Sequence, residues 1–158
     1  MTSAQPNLDL VATLDATPRI LEELVAASDE ALFDKAWGNE WSPRVVLAHL
    51  RDDEFLTMRM RLERLLAEER PVLMPFDERG WATNRWTGRD ALGELLGDFR
   101  IQRLASVAIL RHLQPAEWER GGYHPEIGQL TVRSWTEHWV EHDQTHINQL
   151  RAGLGLTA

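Results

Sequence analysis

The sequence predicts an all-α protein, a four-helix bundle with long connections, and three observations carry that prediction. Apolar residues recur at three- and four-residue spacing in four separate stretches. Strand-like alternation is nowhere sustained, and proline and glycine gather mainly between the stretches. Thr17-Pro18 reads as an N-cap followed by proline in the first helical position, with Ile20, Leu21, Leu24 and Val25 forming the apolar side of that helix. Leu8 to Leu14 is an earlier helical piece, either continuous with it or kinked at Pro18. Ser42-Pro43 opens a second helix, expected to reach about Glu69 and to stop before Pro71. A third is expected from about Arg89 to His112, ahead of Pro115, and a fourth from Thr131 to near Gly153. The segments Arg70 to Thr87 and Gly121 to Pro125 read as connections. The chain, 1–158, reads as one domain with its core over about 8–154.

Composition narrows the function classes. A formal net charge of −8 argues against nucleic acid as a partner, because phosphate binding needs a basic face. The absence of cysteine excludes disulfides, thiolate metal sites and cysteine catalysis, so any metal must be held by His, Asp, Glu or water. No apolar run approaches the roughly 18 residues of a membrane span. Met1 to Asp9 has neither the basic nor the apolar part of a signal peptide, and a cytoplasmic protein is expected. Trp37, Trp41, Trp81, Trp86 and Trp118 fall near expected helix ends, where a large ring can seal a bundle with its N–H near water. A bundle with a tryptophan-rich surface is expected to form a homodimer.

The chemistry sits in polar residues that interrupt apolar stripes. With Trp135 as zero, Trp139, His142, His146 and Leu150 lie at about +40°, −20°, +20° and +60° on the last helix. His142 and His146 are thus one turn apart in the stripe that should face the core, and i, i+4 spacing lets two rings converge on one ion. His49 is centred the same way on the second helix, among Val45, Val46, Leu56 and Met60, with Asp52 and Asp53 beside it. One such histidine reads as a hydrogen-bonded core residue, whereas three on two helices of one bundle read as a metal site. His138 is a turn before His142 at the stripe's edge, about 12 Å along the axis from His146, so a structural or supporting role is expected. Arg103 falls inside the stripe of the third helix. It is either half of a structural ion pair, with Asp52, Asp53, Glu63 or Glu141, or a clamp for an anionic substrate. His112 and His124 carry no assigned role.

Taken together, Trp41-Ser42-Pro43, His49-Leu50-x-Asp52-x-Glu54, Phe99-x3-Arg103 and His142-Asp143-x2-His146-x2-Gln149 resemble the DinB/YfiT-like superfamily of bacterial four-helix-bundle proteins. Thr17-Pro18 and His124-Pro125-x2-Gly128 resemble features of one branch, and the likeness runs from about Leu8 to Leu154. The resemblance implies a divalent metal bound by His49, His142 and His146, the trio that the helical wheels select. It also implies thiol chemistry: some members transfer small thiols such as bacillithiol or mycothiol to electrophiles, and stress induction recurs in the family.

Three neutral ligands with open positions make a catalytic rather than a structural site, at which a bound water or thiol loses its proton near neutral pH. The first expectation is a metal-dependent thiol transferase acting on a small electrophile, with a thiol as cosubstrate. Metal-dependent hydrolysis uses the same residues. The rival is a non-catalytic, stress-related bundle that binds a metal or small ligand. Asp52 or Asp53 would orient His49, or Asp143 one of the last-helix rings. Zinc is the first expected metal and nickel the second.

Overall fold

A computed structural model describes residues 4–156, with side chains from Asn7 onward; Met1–Ser3 and Thr157–Ala158, the ends of the expected domain, lie outside the described residues. Its helices are α1 (Ala4–Ala26), α2 (Pro43–Asp53), α3 (Met60–Ala67), α4 (Glu78–Arg85), α5 (Leu92–Arg111) and α6 (Val132–Gly153). A hairpin of β1 (Gly121–His124) and β2 (Gly128–Thr131) precedes α6. The bundle is built from α1, the α2–α3 rod, α5 and α6. Both α1 and α2 pack against α5 and α6, so the two N-terminal helices face each other across the bundle rather than lying side by side.

Of the two alternatives for the start of α1, the structure takes the continuous one, and Thr17-Pro18 is helix interior rather than a helix start, for a physical reason. The helix runs unbroken through Pro18 instead of starting there. Proline has no N–H for the carbonyl four residues back, so Leu14 O loses its helical partner. Arg103 Nη1 replaces it, donating to that oxygen at 2.8 Å. Thr17, freed from capping, donates its hydroxyl to Asp143 Oδ2 at 2.7 Å.

Ser42 stands at the N-cap position of α2, with Pro43 in the first turn, though its side chain makes no capping hydrogen bond. The expected long second helix is present but passes through a π-helical segment, Glu54–Arg59, between α2 and α3. The wider turn moves the buried face round the axis. Met60, expected in the apolar stripe, is 38% exposed, while Met58, Leu62 and Leu65 are buried. The same turn points the Glu54 carboxylate into the core, where it is 1% exposed. Trp135 Nε1 donates to the Met58 carbonyl at 3.1 Å, supplying a partner to backbone inside the irregular turn.

The two connections hold more structure than expected. Arg70 to Thr87 contains α4, whose N-cap Asp77 accepts from Gly80 N. Within the Gly121 to Pro125 segment, Gly121–His124 is a strand, with register Gly121–Thr131 to His124–Gly128. Gly128, at φ +91°, takes the left-handed turn that closes the hairpin. At Gly122 a Cβ would stand 2.8 Å from Pro71 O, so only glycine lets the hairpin sit this close to the 70–74 segment. Thr131 caps α6 reciprocally with Ser134, where the sequence places its start. Trp118, Trp135 and Trp139 are buried, whereas Trp37, Trp81 and Trp86 are substantially exposed. Among the described residues no helix is long and apolar enough to cross a membrane.

Candidate metal centre

His49 from α2 meets His142 and His146 from α6 in the middle of the bundle. One ring nitrogen of each lies within 4.8 Å of one in each of the others. His49 Nε2 and His142 Nε2 are 3.0 Å apart, and the ring centroids of His146 stand 4.5 Å from His49 and 4.6 Å from His142. Gln149 orients His146: its amide donates to Glu40 Oε2 at 2.6 Å, so its oxygen accepts from His146 Nδ1 at 2.8 Å. That fixes the proton on Nδ1 and leaves Nε2 a free lone pair. Gln149 lies at i, i+3 from His146, and that spacing is the signal in the sequence for this partner.

Asp53 closes the other side. Its Oδ2 lies 3.4 Å from His142 Nε2 and 3.7 Å from His49 Nε2, and its Oδ1 is buried without a hydrogen-bond partner. Burial opposes charge throughout the cluster, with different outcomes. It pushes His49 down to about 3 and His146 down to about 4. At His142 the carboxylates of Asp143 and Asp53 outweigh burial and raise the ring to about 9. Burial would raise Asp53, but contact with His142 and the charge of His49 hold it below the usual carboxylate range. Two ring nitrogens 3.0 Å apart, a third aimed by Gln149 and a buried carboxylate are donors that fit a divalent transition metal.

The remaining expected site residues separate into different environments. Asp52 faces outward, accepting from Arg51 Nε at 2.8 Å and Trp81 Nε1 at 3.0 Å, and so ties α4 to α2 instead of orienting His49. His138 stacks on Trp135 at 5.1 Å and stays outside the His49–His142–His146 group. His112 is exposed at the end of α5, its Nδ1 2.7 Å from Ala108 O.

Arg103 is a structural ion pair, with partners other than those expected. Its Nε and Nη2 donate to Glu54 at 3.0 and 2.8 Å. Its Nη1 and Nη2 donate to Asp143 at 2.6 and 3.0 Å, and Nη1 also to Leu14 O. All five N–H groups are thereby used, which leaves no donor for a substrate anion. Phe99 and Trp139 lie against the guanidinium, at 4.7 and 5.5 Å, and Trp139 Nε1 donates to Glu54 at 3.2 Å. Burial and the charge of Arg103 act oppositely on Asp143, and the guanidinium holds it far below the usual range. Asp143 in turn lies 3.9 Å from His142 Nδ1, an electrostatic contact too long for a hydrogen bond.

His124 has a structural task. It is 2% exposed, and its Nδ1 accepts the backbone N–H of Glu126 and Ile127 at 3.2 and 3.3 Å in the hairpin turn. Burial and Arg61 lower its pKa. The unfolded chain takes up a proton near pH 6.5 that the folded ring resists, so the His124 contribution is complete above that pH and is lost as pH falls. Thermal melts from pH 7 to 5 are expected to show a shallower decline for His124→Asn than for wild type. Identical slopes would remove this role.

A family model described as the DinB superfamily matches residues 10–150. The chain belongs to the DinB superfamily. Among proteins similar to this superfamily member is one of Bacillus subtilis named "Putative metal-dependent hydrolase YfiT", 26% identical over 156 residues covering 92% of this chain and 84% of that one. Another, of Oceanobacillus iheyensis, is named "Putative metal-dependent hydrolase OB0782" and is 26% identical over 135 residues, covering 85% of this chain and 77% of its own. The solved structure of YfiT, described as a probable metal-dependent hydrolase with an unusual four-helix bundle topology, superposes with a TM-score of 0.83 at 23% identity. That match covers 99% of this chain and 92% of the other, and it establishes the four-helix-bundle fold.

Proposed function

We propose that this protein is a divalent-metal-dependent hydrolase of a small substrate, with His49, His142 and His146 as the metal-binding residues. The observation that carries the reading is the convergence of three ring nitrogens from two helices on one space. The names of the relatives favour hydrolysis over the thiol transfer that the sequence alone put first. Zinc is taken ahead of nickel; all-imidazole donors suit both.

A bound ion supplies Lewis acidity and brings the pKa of water toward neutrality. The chain supplies position and charge balance. Gln149 and Glu40 hold His146 in one tautomer. Asp53 sets a negative charge beside His142 and His49. Glu54, Arg103 and Asp143 brace the helices behind the site. Access is through a cavity of about 180 Å³ bordered by Asn39, Trp41, Glu78, Arg79 and His146. It is smaller than the roughly 300 Å³ at which drug-sized pockets begin, so the fitting substrate is small. A larger cavity of about 280 Å³, between Leu8, Trp118 and Arg133, has no histidine on its wall and is set apart from the chemistry.

The test combines metal and turnover. Trp41 stands 5.2 Å from the His49 ring, so Ni²⁺ or Co²⁺ is expected to quench tryptophan fluorescence saturably at one equivalent. The metal-loaded protein should then hydrolyse at least one member of a panel of small esters, amides, lactones and phosphoesters, and His142→Ala none. Saturable binding without any turnover above that variant would refute hydrolysis while keeping the metal site.

A further inference from the structure

The space between the three histidines has an acidic wall that the histidines do not explain. Asp53 is 2% exposed, and its Oδ1 lacks any hydrogen-bond partner. Donors about 2.1 Å from one ion stand about 3.0 Å apart at right angles and about 3.4 Å apart at the tetrahedral angle. The separations among Asp53 Oδ2, His49 Nε2 and His142 Nε2 are 3.0, 3.4 and 3.7 Å, close to that range. The contact with His142 Nε2 accounts for Oδ2 and leaves Oδ1 without a hydrogen-bond partner.

A second carboxylate approaches the same space. Glu78, the first residue of α4, places an oxygen within 4.8 Å of donor atoms of both His49 and Asp53. Arg61 is close enough to influence both groups, yet its Nη2 is committed to Met74 O at 2.7 Å and its Nε has no partner. The placement of Glu78 is braced. Trp81 donates to Asp52 at 3.0 Å and Arg85 pairs with Asp90 at 3.0 Å, fastening α4 over the site.

The geometry points to a mixed imidazole–carboxylate metal centre: Asp53 holds the ion together with His49, His142 and His146, and Glu78 is a further oxygen donor carried by α4, five donors that leave a six-coordinate ion one position for water. This rests on the metal reading proposed above. Two carboxylates around a divalent ion neutralise it, and oxygen donors extend the accepted metals toward Mn²⁺ and Fe²⁺.

Co²⁺ is the probe, because its visible d–d bands report ligand type and number. Wild type, Asp53→Asn, Glu78→Gln and His142→Ala would be titrated with Co²⁺, and folding checked by circular dichroism. Asp53→Asn and Glu78→Gln are each expected to bind Co²⁺ at least tenfold more weakly than wild type, with shifted bands. Affinity and bands superimposable on wild type in both variants would overturn carboxylate donation and leave the three-histidine site standing. Wild type that binds no Co²⁺ would overturn the metal reading itself. Should Asp53→Asn fail to fold, Glu78→Gln, on the exposed face of α4, decides by the same two criteria.

Discussion

Arg103→Leu is expected to lower the stability of the protein by roughly 3–5 kcal/mol, the cost of breaking a buried ion pair by removing one partner. The loss is at the upper end because three acceptors depend on the one guanidinium. Glu54 and Asp143, both almost fully buried, would face each other uncompensated. Leu14 O, already without a helical donor because of Pro18, would be orphaned. Arg103→Lys should recover only part of the loss, since an ammonium cannot fork to two carboxylates at once. Urea denaturation would read the effect as a lower midpoint at unchanged slope. A loss below about 1 kcal/mol would show that the network is dispensable. Since Asp143 stands beside His142, the variant should also bind metal more weakly, so the two measurements belong together.

His142→Ala is expected to abolish metal binding, and this is the second large effect. Metal at a hundredfold its dissociation constant stabilises a folded protein by about 2.7 kcal/mol. For a chain of 158 residues that is a rise of roughly 5–11 °C in Tm. The rise should be present in wild type, absent in His142→Ala, and retained in His138→Ala, whose ring stacks on Trp135 away from the group. Gln149→Ala, which frees the His146 tautomer, should weaken binding by about 10- to 100-fold. Metal content by mass spectrometry and melting curves with and without added Zn²⁺ check all four proteins. Retention of one equivalent in His142→Ala would place the metal elsewhere.

These two predictions draw on different kinds of legibility. The histidine trio could be read from the sequence because each residue sits within a straight helical stretch, where a 100° step keeps its phase over two turns. His142 and His146 belong to one such stretch, and His49 precedes the π-helical segment. Glu54 begins that segment, and on a straight helix it lies about 140° from His49, facing away from the core. Its burial, and with it the main partner of Arg103, could not be found by a wheel that assumes regular turns. Asp143 lay at the margin of the α6 stripe and was visible as a neighbour of His142, but not as a partner of Arg103.

Local signals were also reassigned by distant ones. Thr17-Pro18 has the chemistry of a helix start, and became helix interior because Arg103, far away in the chain, satisfies the freed carbonyl. The 70–87 connection has no sustained period, yet it forms α4 because Asp77 caps it and Asp52 holds its tryptophan.

The sequence by itself determined the all-α class, the start of α2, the N-cap of α6 and the core-facing phase of the three histidines. Each is encoded within a turn or two of backbone, where propensity, capping and period act locally. Tertiary structure alone decided the partners of Arg103, the passage of α1 through Pro18, the π turn and the delivery of Glu78 to the space beside Asp53. Those outcomes satisfy buried charges and carbonyls with groups from other helices, and no local pattern specifies which distant group arrives.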